Sequence, residues 1–274
     1  DTEVLDEVVV VGYGTQKKVT VTGAVSAVST KELTQSPVAN ISNSLAGKLT
    51  GVTAIQYSGE PGYDGATIWV RGQGTYQTAS NPLVIVDGIE RAFGDIDPNE
   101  IESISILKDA SAAIYGMRAA NGVVVVTTKK GQRNSKNTVS VNAYYGWQHN
   151  SRFINPADTK TYVQAYAAAE TWKRMPTGER RYNKEEYDKW MTGTEKGYQG
   201  FDWSDYIWVT APQSYVSGNF SGGSDKANYY VNVSHIDQQA TVRGYGGFQR
   251  TNAQMNIDMN VTEKFKIGAT MNGR

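Results

Sequence analysis

Between Asn252 and Val261 every second residue is apolar. Ala253, Met255, Ile257, Met259 and Val261 alternate with Asn252, Gln254, Asn256, Asp258 and Asn260. A period of two sends the two sets to opposite faces of a strand. Val139, Val141, Ala143, Tyr145 and Trp147 alternate in the same way with Ser140, Asn142, Tyr144 and Gly146. Phe265, Ile267, Ala269 and Met271 do so against Lys266, Gly268, Thr270 and Asn272, and Tyr229, Val231 and Val233 against Asn232 and Ser234. Segments of about ten residues, apolar on one side with aromatics near their ends, suit strands that cross a bilayer as part of a barrel. A soluble antiparallel sheet alternates too, so no single strand decides. The connections carry more weight. Predicted strands at 138–148, 213–221 and 227–237, a fourth ending at Val261 and a fifth from Phe265 are joined by long, short, mid-length and very short links. Long loops alternating with tight turns are the habit of outer-membrane barrels. The rival reading is a soluble β-rich adhesin or carbohydrate-binding module.

Composition removes several functions. The 274 residues hold no Cys, two His and a formal net charge of zero. Thiolate chemistry and disulfides are excluded, and a His-based metal site or a Ser/His/Asp set has little to draw on. No bulk field attracts nucleic acid. No apolar run approaches the length of a spanning helix. The chain opens on Asp1 in mid-pattern with no signal peptide, as expected of a processed chain or a piece of a longer one. No enzyme, cofactor or metal is expected. The one enzymatic alternative is a hydrolase working with paired Asp/Glu, which turnover on glycans would reveal.

Residues 17–130 read differently, as an α+β domain. Ser36-Pro37 introduces a helix over 38–49 with Ile41, Leu45 and Leu49 on one face. Strands follow at 51–55 and 66–72. Leu83 to Val86 is a strand closed by Asp87-Gly88, a turn signal that reads as a hairpin or a strand end. Asp97, Pro98 and Glu100 make a capping box. Ile101 to Leu107 and Val123 to Lys130 are strands flanking a small helix at 108–116. Asp87, Glu90, Asp95 and Asp97 form a carboxylate-rich span that reads as a solvated turn rather than a Ca²⁺ loop. The Gly-x-Gly at Gly72 to Gly74 lacks the rest of a phosphate loop. Of the glycosylation sequons at Asn40, Asn219, Asn232 and Asn260, three fall in or beside predicted strands, which argues against a glycosylated surface.

Two stretches carry open alternatives. Glu7-Val8-Val9-Val10-Val11 is a strand with no hairpin partner evident nearby. It is either an ordinary edge strand or a segment that adds itself to another protein's sheet. The long loop at about 149–212 holds a helix capped by Pro156-Ala157-Asp158, another opened by Asn183 to Glu186, and the rings Phe201, Trp203, Tyr206 and Trp208. Those rings are either a stacking surface for carbohydrate or peptide, or a cluster that anchors the loop.

Three segments resemble a known family: DEVVVVGYGTQKK, SLAGKLTGVTAIQ with GATIWVRG, and NPLVIVDGIER with IESISILKDASAAIYGMRAANGVVVVTTKKG. They are similar to the plug domain of TonB-dependent outer-membrane transporters of the SusC/RagA-like group, over residues 7–131. YVSGNFSGGSDKANYYVNVSHIDQQ continues the likeness into the barrel. The resemblance implies a TonB-box-like segment at 1–16, with Glu7, Val8, Val9, Val10 and Val11 contacting TonB. It implies a plug at 17–131 facing the periplasm, and the first strands of a barrel of about twenty-two at 132–274. Five strands do not close such a barrel, so the fold class expected is an α+β plug followed by an incomplete transmembrane β-barrel. The expected partners are TonB, a SusD-like surface lipoprotein, outer-membrane lipid, and a glycan or oligopeptide cargo. Arg71 and Arg118, in small and apolar surroundings, are expected to reach carboxylates on the barrel wall.

Overall fold

A computed structural model describes residues 8–11, 14–17, 25–72, 81–151, 154 and 156–274. Glu7, the segment 18–24 and the Gly-x-Gly residues Gln73 and Gly74 lie outside them. The described chain divides into two units, Asp1–Gly146 with Pro212–Gln239 and Gly247–Arg274, and Trp147–Ala211 with Ala240–Gly246.

In the first unit, β1 (Val8–Val11) pairs antiparallel with β2 (Gly14–Lys17), Val8 opposite Lys17. The valine run therefore has a neighbour after all: Gly14 to Lys17, too polar to read as a strand, lies beside it. β3 (Val25–Ser29) leads into a single helical turn, α1 (Thr30–Leu33). The helix expected over 38–49 shrinks to a 3-10 turn at Ile41–Leu45, capped by Asn40, whose side chain accepts from the Ser42 main chain. Ile41, Leu45 and Leu49 are nevertheless all buried, so the apolar spacing was sound although the helix is short. β4 (Val52–Gln56) pairs with β5 (Ala66–Val70) as a separate ribbon.

β6 (Leu83–Val86) and β7 (Ile89–Glu90) form the expected hairpin. Asp87 and Gly88 have φ of 48° and 89°, the left-handed pair that a two-residue turn demands. β8 (Ile101–Leu107) and β9 (Val123–Thr128) complete a mixed sheet of order β3-β8-β9-β6-β7. The register slips between Ile101 and Ser103. That bulge lets Ile101, three residues before Ile104, share a face with Ile104 and Ile106. These pack with Val124, Val126, Leu33, Ile41 and Leu45. The other face buries Ile85, Leu107, Val123 and Val125 against Ala112 and Ala119. The helix expected at 108–116 is a run of 3-10 turns from Asp109 to Ala119, broken at Gly116 by a φ of 72°.

Five long strands follow in one antiparallel sheet of order β10-β11-β12-β13-β14. They are β10 (Ser135–Gln148), β11 (Ala211–Gly223), β12 (Ala227–Gln239), β13 (Gly247–Asn260) and β14 (Lys266–Gly273). Most extend a few residues beyond the alternating core of each segment, since hydrogen-bonded pairing continues where the apolar beat has stopped.

The second unit carries α2 (Thr159–Trp172), α3 (Lys184–Thr192) and α4 (Trp203–Ile207). Asp158, Asn183 and Asp202 cap them by accepting main-chain hydrogen bonds, and α3 ends at Gly193 with φ 65°. Trp208 bridges to Val242.

Candidate functional site

The three middle strands, β11 to β13, bury the wrong face for a protein in water, while β10 and β14 carry no buried residue. Asn232 is 0% exposed, and Ser234, Gln238, Asn252, Gln254 and Asn256 are also buried. On the opposite face Val139 is 71% exposed, and Val141, Val233, Met259 and Met271 are also open. A water-soluble sheet keeps the reverse arrangement.

The polar face is covered by the α+β domain, through a seam of hydrogen bonds. On β13, Arg250 donates from Nη1 to the Gly94 carbonyl at 2.6 Å and from Nη2 to the Ala39 carbonyl at 3.0 Å. Asn252 donates to the Asp95 carbonyl at 2.7 Å, and Asn256 to Thr128 Oγ1 at 2.9 Å and the Lys129 carbonyl at 2.7 Å. Asn228 of β12 donates to the Gly131 carbonyl at 2.5 Å. Gly131 lies so close to the strands that a Cβ there would sit 2.3 Å from the Tyr229 carbonyl oxygen. Most of these acceptors are main-chain oxygens. The strands thus grip the backbone of the inner domain, and a buried carbonyl needs such a partner.

One turn of the inner domain meets the strands through side chains. Asp97, 1% exposed, caps the turn by accepting from the Asn99 main chain at 2.7 Å. The Tyr215 hydroxyl of β11 lies 2.9 and 3.0 Å from its two oxygens, and Ser234 of β12 donates to Oδ2 at 2.5 Å. Asn99 donates to the same Tyr215 hydroxyl at 2.8 Å. Glu100, 2% exposed, accepts from Asn232 at 3.3 Å. It also takes a hydrogen bond from the Asp97 main chain, the reciprocal half of the capping box. Burial, and then the charge of Asp97, push the Glu100 carboxyl up to about 7 from its ordinary 4.5, with Asn232 and Arg91 pulling the other way. Beside this turn Tyr144 of β10 stacks on Tyr215, ring centroids 5.2 Å apart, at a cavity of about 420 Å³ that Arg250 and Pro98 also line.

The residues singled out from sequence sit elsewhere. Arg118 pairs with Glu90 of the same domain at 2.5 Å, both side chains largely exposed. Arg71 is exposed in the left-handed region, φ 62°, its main chain bonded to the Gly51 carbonyl. Trp203, 64% exposed, makes edge contacts with Phe201 and Tyr206, and Arg243 lies 4.9 Å over the Tyr206 ring. The carboxylates of 87–97 are not a shared solvated turn. Asp87 accepts from the Thr128 main chain at 3.0 Å, Glu90 pairs with Arg118, Asp95 with Arg274, and Asp97 is buried. Among the described residues no His, Asp and Glu group is arranged to hold a metal. Sequence reasoning passed over Arg250 and Tyr215, named Asn252 and Asn256 only as the polar beat of a strand, and took Glu100 as a helix cap and Asp97 as a cap within a carboxylate-rich turn. The signal was available in the polar beat of the strands, once that beat is assigned to the covered face.

The geometry defines a class: a plug domain seated against the polar face of an antiparallel wall. Residues 17–123 match the family described as the TonB-dependent receptor plug domain. The whole chain is 37% identical to TonB-dependent receptor P3 of Formosa agariphila and 33% identical to TonB-dependent receptor SusC of Bacteroides thetaiotaomicron. It spans about a quarter of the length of each, 25% and 27%. The RagAB peptide importer in its open-open state superposes with a TM-score of 0.80 at 31% identity, covering 97% of this chain and 32% of that one. Residues 17–123 thus match the plug-domain family model, and the chain is similar along its whole length to the SusC and RagAB proteins. Its fold is an α+β plug followed by antiparallel barrel-type strands.

Proposed function

We propose that this chain takes part in TonB-dependent uptake across the bacterial outer membrane, as the plug and first wall strands of a SusC-like transporter for glycans or oligopeptides. The observation that carries this reading is the inverted wall: its amide-rich face is sealed by the plug while valine, methionine and isoleucine side chains point away. In the bilayer that outer face meets lipid, the arrangement a transmembrane barrel requires. The names of the relatives support the cargo class, one being SusC and another a peptide importer. The chain acts by binding and passage rather than by catalysis.

In this reading 1–16 is a TonB-box-like segment, 17–131 the plug facing the periplasm, and 132–274 the start of the barrel, with 149–212 outside the cell. Cargo is held at the outer face, where Trp203, Tyr206 and Trp208 offer rings for stacking, and a SusD-like lipoprotein closes over it. Arg71 and Arg118, exposed on the plug, are assigned to wall strands other than the five described. TonB recruits Glu7 to Val11 as an added strand. Because β1 is already paired with β2, engagement exchanges one strand partner for another, and the hydrogen bonds lost are regained. Deleting Glu7 to Val11 is expected to abolish energised uptake and leave cargo binding unchanged. Undiminished uptake by the deleted protein would overturn the assignment.

A further inference from the structure

We propose that Asp97 and Glu100 are positioning residues that act together as a proton-operated latch between plug and wall. Two carboxyls occupy one buried turn, and the wall meets both. Tyr215 and Ser234 donate to Asp97, and Asn232 to Glu100. Asp97 accepts from three donors, the Asn99 main chain among them. Glu100 has one neutral side-chain donor at 3.3 Å besides the Asp97 main chain, and no salt-bridge partner among the described residues. A second charge on this turn is therefore poorly met, and the docked arrangement keeps a proton on Glu100.

The other charged and titratable groups around the turn modulate this balance without cancelling it. Arg91, before the turn, favours the charged form of Glu100. Lys129 at the end of β9 feels Asp97, as do Arg250 on β13 and Tyr144 on β10. Tyr230 on β12 faces Glu100 and Glu102. None of these is a salt-bridge partner of either carboxylate among the described residues.

The sign follows from linkage. Undocked and in water, Glu100 titrates near its ordinary 4.5; docked, it titrates at about 7. Between those values the docked plug holds a proton that the undocked one has lost. Acid thus favours docking, and raising pH from 5 to 8 weakens it by roughly a hundredfold, each pH unit inside the window being worth up to a factor of ten. The latch rests on the plug-and-wall reading above, but not on TonB.

The test is hydrogen exchange of the Asn252 and Asn256 side-chain amides, which bond across the seam, in the intact protein, divided at each pH by the rate in a free peptide. Protection should fall roughly a hundredfold from pH 5 to 8 in the wild type and stay level in Glu100→Gln, which keeps the hydrogen bonds and cannot ionise. A level wild-type profile, or a Glu100→Gln profile that falls as the wild type does, overturns the latch. Should the variant fail to fold, infrared spectra of the wild type decide. A protonated buried carboxyl present at pH 6 and lost by pH 8.5 supports the latch, and its absence at pH 6 overturns it. Either failure leaves the uptake reading standing, because that reading is tested by the Glu7 to Val11 deletion.

Discussion

Arg250 spends two nitrogens on main-chain oxygens of the plug, Gly94 and Ala39, from a position that is itself buried. Hydrogen bonds from a charged donor contribute about 1.5–3 kcal/mol each, and stranding a buried carbonyl costs a similar amount. Arg250→Met keeps the aliphatic stem and removes both donors. The expected loss is about 3 kcal/mol of plug docking, read as a lowered urea midpoint for the plug transition with an unchanged slope. At this scale the sequence was least legible. A lone arginine after Phe248-Gln249 has no local pattern to mark it, because its partners lie 156 and 211 residues away. Arg118 is the complementary case: small neighbours suggested enclosure, and among the described residues it pairs instead with Glu90 on the exposed hairpin of its own domain.

Elements were more legible, since periodicity and turn chemistry are local. Asp87-Gly88 specified its hairpin because few other pairs accept two left-handed residues in succession. Leu83 to Val86 and Val123 to Val126, apolar throughout, became parallel neighbours covered on both faces. Helices were over-read. Ile41, Leu45 and Leu49 have helical spacing, but the chain needs only to bring three apolar side chains to the sheet, and a short 3-10 turn does so. The bulge at Ile101 was invisible as such, although the spacing of Ile101, Ile104 and Ile106 encodes it. Ile104, fully buried where β8 meets the cluster of Leu33, Ile41 and Leu45, is the element's keystone. Ile104→Ala should cost about 2–5 kcal/mol by lost burial and a residual cavity. Thermal unfolding of the plug checks this, and a change under about 1 kcal/mol would show that the packing collapses to fill the gap.

For the whole molecule, the strand beat announced two faces but left open which one the chain would cover. Alternation reads identically for a soluble sandwich and a membrane wall. Only the seam from Asn228 to Asn256 resolves it, and that seam joins residues more than ninety positions apart. One substitution on the uncovered face separates the two physical worlds. Val233 lies near the middle of β12, half exposed and opposite Ala253. If that face meets water, Val233→Arg replaces an exposed apolar group with a solvated one and changes stability by no more than about 0.5 kcal/mol. If it meets hydrocarbon, the guanidinium must be buried in lipid at mid-depth, costing about 2–4 kcal/mol. The same change at Val261, just past the end of β13, should cost about 0–1 kcal/mol, because an interfacial arginine reaches headgroups and water. Reversible folding of the intact protein into lipid vesicles, titrated with urea, should therefore show a penalty that is large at Val233 and small at Val261. Equal and negligible effects at both positions would mean that the wall faces water, and the transport reading would fall with it.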